Sequence, residues 1–245
     1  MEKKRTPKQQ AKIYFSIFVS SILSGFSIYI GVTVYLNLLK DEHKQLGAIL
    51  FGIGLFTILN FKFYLFTGKV GQILDNNLWF FIDLFICLIG NFVCDIILCY
   101  FIKQSSIGET LQIQAVKLVN TKRNNEWYSM FILGVMCGIM IYLGVKGYNH
   151  CDYPLGKTVF CYLAIQIFIL SGYEHCVANL CYYIYAGMFN GKDFGYLMLV
   201  VLGNLVGSVI FDGLIKVRDY FLKEDEIIPT KKIEPTEQQG QKLTL

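Results

Sequence analysis

Apolar residues run along this chain in stretches longer than any soluble core needs. Ile13 to Leu39 contains no charged residue, and neither do Tyr128 to Val145 or Phe194 to Phe211. A bilayer core of about 30 Å needs roughly 20 apolar residues per helix. The pattern therefore predicts uninterrupted membrane helices over about 13–39, 78–102, 128–146 and 194–215. Two more runs are broken. One starts near Leu46 and is interrupted at Asn60-Phe-Lys-Phe-Tyr-Leu-Phe-Thr-Gly-Lys69. The other starts near 157, is interrupted at Gly172-Tyr-Glu-His-Cys-Val-Ala-Asn179, and resumes to about 189. The polar stretch 103–126 is long enough for an interfacial helix. This reads as an all-α integral membrane protein with six spans in one domain, 13–220. A basic tail, 1–12, precedes it, and a charged, Pro-containing tail, 221–245, reads as disordered. The first run is too long for a signal peptide and is read as a retained helix.

Composition agrees with this pattern. The chain is 54% hydrophobic and only 16% charged, against about 25% charged in soluble domains. Six spans place both ends on one side. Fourteen Lys and Arg fall on that side and seven on the other, with Lys62 left in mid-membrane. The bias predicts cytoplasmic termini in a plasma or inner membrane. The net charge is +4 and the tails hold much of the basic content, which suits a lipid surface better than nucleic acid. All eight cysteines but Cys151 lie in apolar stretches, without metal-like spacing, and read as small packing residues.

The two halves echo each other. Segments two and five are both broken, and segments three and six both carry a Gly-Asn pair, Gly90-Asn91 and Gly203-Asn204. This predicts two inverted three-helix repeats, with a site near the midplane where the breaks meet. Ionisable residues at that depth are costly and tend to be functional, so His175 is the first candidate for the pore centre. The low-dielectric setting favours its uncharged imidazole, which can hydrogen-bond a passing anion and share a proton with it. Glu174 either acts as a base or, the stronger reading, caps the broken helix or bonds a neighbouring backbone amide. Asn91, Asn179 and Asn204 read as support for the breaks. Lys122 reads as a positive charge on the outer side or a snorkelling side chain, and Arg123 as solvated. Lys62 either faces the pore vestibule or pairs with Asp95 or Asp212.

At the two breaks the chain resembles the formate/nitrite transporter family. Gly172 to Asn179 is similar to the family motif G-[FY]-E-H-x-x-A-N, and Leu65-Phe-Thr-Gly68 to its L-F-T-[GS]. The Gly-Asn pairs match too, and Lys122 followed by Gly134-Val-Met-Cys137 resembles K…G-I-L-C-N. The resemblance covers about residues 10–220. It implies an aquaporin-like protomer, a homopentamer with one pore per protomer, and passage of small monovalent anions of weak acids, without cofactor or metal. It also implies an outer constriction at Phe51 and Phe168, an inner one at Leu55, Leu65 and Phe66, and Thr67 with His175 between them. Three positions depart from the pattern: Tyr64 stands for an acidic residue, Lys62 for a small one and Gly138 for an asparagine. The first two alter the charge beside the pore loop and make hydrosulfide a candidate alongside formate and nitrite. The alternatives are an aquaporin-like channel for neutral solutes, though the chain has no Asn-Pro-Ala repeat, and a membrane enzyme using Glu174 and His175. With only His43, His150 and His175 present, no metal triad or nucleophile–base pair emerges.

Overall fold

The computed structural model describes residues 6–225. Long apolar stretches with few helix breakers become helices because a bilayer leaves no other way to satisfy the backbone. In chain order these are α1 (Pro7–Leu39), α2 (Lys44–Phe61), α3 (Phe66–Lys69) running on into a 3-10 turn (Val70–Asp75), α4 (Phe80–Lys103), α5 (Gly108–Arg123), α6 (Trp127–His150), α7 (Pro154–Leu170), α8 (Cys176–Ala186) and α9 (Gly191–Asp225). Five of them, α1, α2, α4, α6 and α9, are long and apolar enough to cross a membrane. α7 and α8, of 17 and 11 residues, are about 26 and 17 Å long at 1.5 Å per residue, so only the two in series reach across.

α1 packs against α2 and α4, and α6 packs against α7 and α9, so each half has the same neighbours. By connectivity, α1 carries the chain away from the face bearing the termini, and α2 begins the return. α3 completes the return. α6, α7, α8 and α9 run in the opposite sense. α5 is a helix in the polar stretch, which is long enough for an interfacial one, and it packs against α8 and α1.

Some boundaries differ from the sequence reading. α1 starts at Pro7, not 13. Thr6 accepts a hydrogen bond from Gln9 N and the Gln9 side chain bonds back to Thr6 N, a capping box that starts the helix in polar sequence. α9 reaches Asp225, so residues 221–225 of the expected tail are helical; the rest of it, 226–245, like residues 1–5, lies outside the described residues.

The breaks have matched geometry. α2 ends with Lys62 in the left-handed region (φ 58°), and Phe63 N donates to Ile58 O at 3.0 Å. α7 ends with Gly172 (φ 72°), and Tyr173 N donates to Phe168 O at 2.9 Å. Both are Schellman-type stops, where a left-handed residue lets the chain turn off the helix. Three residues later Leu65 and His175 are both extended, with φ −104° and −107°, and begin α3 and α8. Glycine takes the left-handed shape freely, whereas a side chain there costs about 1 kcal/mol. Lys62→Gly is therefore expected to stabilise the protomer by about that amount, read from its thermal unfolding midpoint in detergent.

Elsewhere small residues let helices touch backbone to backbone. A Cβ on Gly138 would lie 2.2 Å from Asn204 O, and one on Gly207 2.0 Å from Val135 O. This explains the Gly138 departure: α9 leaves no room there for a side chain. The outer surface is strongly apolar, with Phe15, Phe61, Leu78, Trp79 and Phe85 all more than 60% exposed. Such a surface needs lipid or a neighbouring protein against it.

Candidate pore and its central histidine

Asparagines pin the two breaks. Asn91 Oδ1 accepts from Phe66 N at 3.0 Å, while its Nδ2 donates to Ser21 O at 2.8 Å and Tyr64 O at 3.2 Å. In the other half Asn204 Oδ1 accepts from Cys176 N at 3.0 Å, and its Nδ2 donates to Gly134 O and Glu174 O, both at 2.8 Å. Each side chain thus serves one orphan helix-start N–H and two carbonyls at a depth where water cannot. Both are fully buried. Asn204→Ala would strand these groups at about 1–3 kcal/mol each. It is expected to destabilise the protomer by roughly 3 kcal/mol or more, measured as loss of folded protein on heating in detergent.

Ser20 and Ser24 add a second hold on the first break. Ser20 Oγ accepts from Tyr64 N at 3.0 Å, and Ser24 Oγ donates to Tyr64 O at 2.5 Å. The sequence pattern does not single out these serines. Their spacing from the break, 44 and 40 residues, carries no periodic signal.

His175 and Thr67 come together where the breaks meet. His175 Nε2 lies 2.9 Å from Thr67 Oγ1, and its Nδ1 accepts from Ala178 N at 3.2 Å. The second contact makes His175 itself the N-cap of α8, a role the sequence reading considered for Glu174. It also fixes the tautomer. An Nδ1 that accepts carries no proton, so in the neutral ring the proton sits on Nε2 and points at Thr67. A second proton would go to Nδ1 and displace the cap.

Apolar rings flank this pair. Phe51 and Phe168 meet edge to face with centroids 5.9 Å apart, and Phe168 stacks on His175 at 5.8 Å. Leu55, Leu65 and Phe66 are each at most 4% exposed. Leu65 holds the position in α3 that His175 holds in α8. The first half thus offers an apolar face at the point where the second offers an imidazole.

Glu174 is buried at 2% exposure and pairs with Lys122, whose side chain is 13% exposed. Asn179 Nδ2 also donates to Glu174 at 2.7 Å, so the carboxylate ties α5 to the start of α8. Lys122 is therefore neither a free charge nor a snorkelling side chain. Arg123 is not solvated either. Its guanidinium makes a two-pronged contact with the buried Asp193, at 2.8 and 2.6 Å, and donates to Met188 O, holding the end of α5 to the start of α9.

Lys62 makes neither ion pair considered for it. Asp95 is fully buried on α4, with no hydrogen-bond partner to either oxygen. Asp212 accepts from Tyr142 Oη at 2.7 Å and pairs with Lys216 at 2.7 Å. Lys62 instead lines a cavity below Leu55 and Leu65, together with Lys69 and Lys157, which the sequence reading did not single out. Among the described residues no three His, Cys, Asp or Glu gather as metal ligands.

A profile of the family described as "Formate/nitrite transporter" matches residues 3–218. The chain belongs to the formate/nitrite transporter family. It is 25% identical over 190 residues to formate channel FocB of Escherichia coli (strain K12), an alignment covering 69% of this chain and 66% of that channel, just under two thirds. With nitrite transporter NirC of Salmonella typhimurium (strain LT2) it shares 25% over 235 residues, covering 86% and 85%. A solved structure described as a pentameric formate channel with formate bound superposes with a TM-score of 0.73 at 24% identity, over 86% of this chain and 98% of that one. That likeness carries the fold: a multi-pass helical membrane protein of the formate/nitrite transporter type.

Proposed function

We propose that the chain forms a pore for small monovalent anions of weak acids, such as formate, nitrite or hydrosulfide, with His175 at its centre. The observation that carries this reading is the His175–Thr67 pair at 2.9 Å, set between two buried apolar rings where two helix starts converge. Helix starts present N–H groups and partial positive charge, which attract an anion without a buried full charge. Apolar rings exclude hydrated ions by dewetting. A weak-acid anion takes the Nε2 proton of His175 while the ring gains one from hydronium at Nδ1, displacing the Ala178 cap, and the acid so formed crosses them as a small neutral molecule. Glu174, Asn179, Asn91 and Asn204 hold the breaks in place, while Phe51, Phe168, Leu55, Leu65 and Phe66 form the barriers. Lys62 raises the anion concentration at one mouth, and Lys122 acts through its contact with Glu174. Membership of a family whose relatives include formate channels and a nitrite transporter supports this class of cargo.

The assembly we propose is a homopentamer with a pore in each protomer, in a cell membrane with both termini cytoplasmic. The apolar outer surface and the charge bias support it. Reconstituted into vesicles, the protein is expected to admit formate, nitrite and hydrosulfide rapidly, lactate more slowly, and glycerol not at all. Glycerol entry without entry of any anion would mean a neutral-solute channel instead.

A further inference from the structure

Below the inner apolar ring the protein opens a cavity of about 430 Å³, within the size range of small-molecule pockets. The buried Leu55 and Leu65 are part of its lining, and by connectivity it faces the side bearing the termini. Lys62, Lys69 and Lys157 line it, with the amides of Gln72 and Asn149, and no acidic side chain does. Among the described residues none of the three lysines is in an ion pair within 4.0 Å. The ion pairs there belong to Lys122, Arg123, Lys146, Lys216 and Arg218. Two rest on aromatic faces, Lys69 Nζ 4.5 Å over the Tyr64 ring and Lys157 Nζ 5.7 Å over Tyr148. A ring steadies an ammonium but does not neutralise it.

Three positive charges around one cavity repel one another, and a single monovalent anion offsets only one of them. We propose that this cavity binds a small multivalent anion, a compact polyphosphate or polycarboxylate, that enters from the terminus-bearing side and blocks the path. Such an ion meets several ammonium groups at once and makes charge-assisted hydrogen bonds to them and to the amides. It cannot follow a weak acid inward, because one proton leaves it charged. It stops at Leu55 and Leu65, which are 0% and 1% exposed. Binding follows from the cavity alone, whereas the block rests on the pore reading above.

The test uses the full chain in neutral phosphatidylcholine nanodiscs and vesicles, with pyrophosphate and citrate as probes and formate for comparison. Calorimetry is expected to show both probes binding about a hundredfold more tightly than formate, tenfold for each added charged contact. Affinity should fall as salt rises. Lys62→Gly and Lys157→Met are each expected to weaken binding about tenfold. Pyrophosphate should slow formate flux when added to the terminus-bearing face only. Pyrophosphate that binds no more tightly than formate, or binds equally well to both variants, overturns the proposal, even where formate flux is normal. Lysine-dependent pyrophosphate binding in protein that passes no formate keeps the site and removes the pore reading instead.

Discussion

Replacing His175 by Asn is expected to leave the folded assembly intact, lower formate flux about a hundredfold, in the range of losses seen when a positioned proton donor is removed, and flatten its dependence on pH. Asparagine is among the best N-cap residues, so it can accept from Ala178 N as His175 Nδ1 does at 3.2 Å. It also has an NH2 donor for Thr67, but an amide does not titrate near neutral pH and so cannot relay a proton. The substitution therefore separates the cap from the proton. In the unsubstituted protein, flux should rise as pH falls, because each crossing anion takes up a proton. His175→Ala removes both functions and should add a loss of about 1 kcal/mol in stability. Flux with pH in vesicles, beside thermal unfolding of the same preparations, reads both effects. A His175→Asn protein with an unchanged pH profile would remove the proton role and leave the histidine as a cap.

The second large effect concerns the Lys122–Glu174 pair. Removing one partner of a buried pair leaves an uncompensated charge and costs about 3–5 kcal/mol. Glu174→Gln keeps an oxygen for Asn179, whose Nδ2 now lies 2.7 Å from the carboxylate, but strands the Lys122 ammonium beside the start of α8. It should therefore lower the unfolding midpoint sharply. Lys122→Met should do the same by stranding Glu174. The double substitution should recover most of the loss, because it removes both charges together. A double variant as unstable as the sum of the singles would show that the two side chains do not act as a pair.

Much of the fold was legible because membrane helices announce themselves by length, and because polar residues within them mark breaks. Glu174-His175 and Asn60-Phe-Lys62 stood out against apolar neighbours, and both mark real helix ends. The Gly-Asn pairs were legible for the same reason, as amides with no water to bond. What failed to show was of two kinds. Helix starts in polar sequence, such as the Thr6–Gln9 box of α1, give no apolar signal. Pairings between distant segments, Lys122 with Glu174 across 52 residues and Arg123 with Asp193 across 70, depend on how α5 packs on α8 and α9, which no local pattern encodes. Lys62 illustrates the gap most clearly. Its place in a break was readable, but its left-handed backbone and its two lysine neighbours in the cavity were not.

The central claim is that an anion crosses the two apolar rings only while it shares a proton at His175. The most direct measurement is the number of protons entering with each formate, read from internal pH and radiolabelled formate in vesicles whose membrane potential is clamped with potassium and valinomycin. One proton per formate, with flux insensitive to the imposed potential, is the predicted result. Formate entry that carries net current and leaves internal pH unchanged would contradict it.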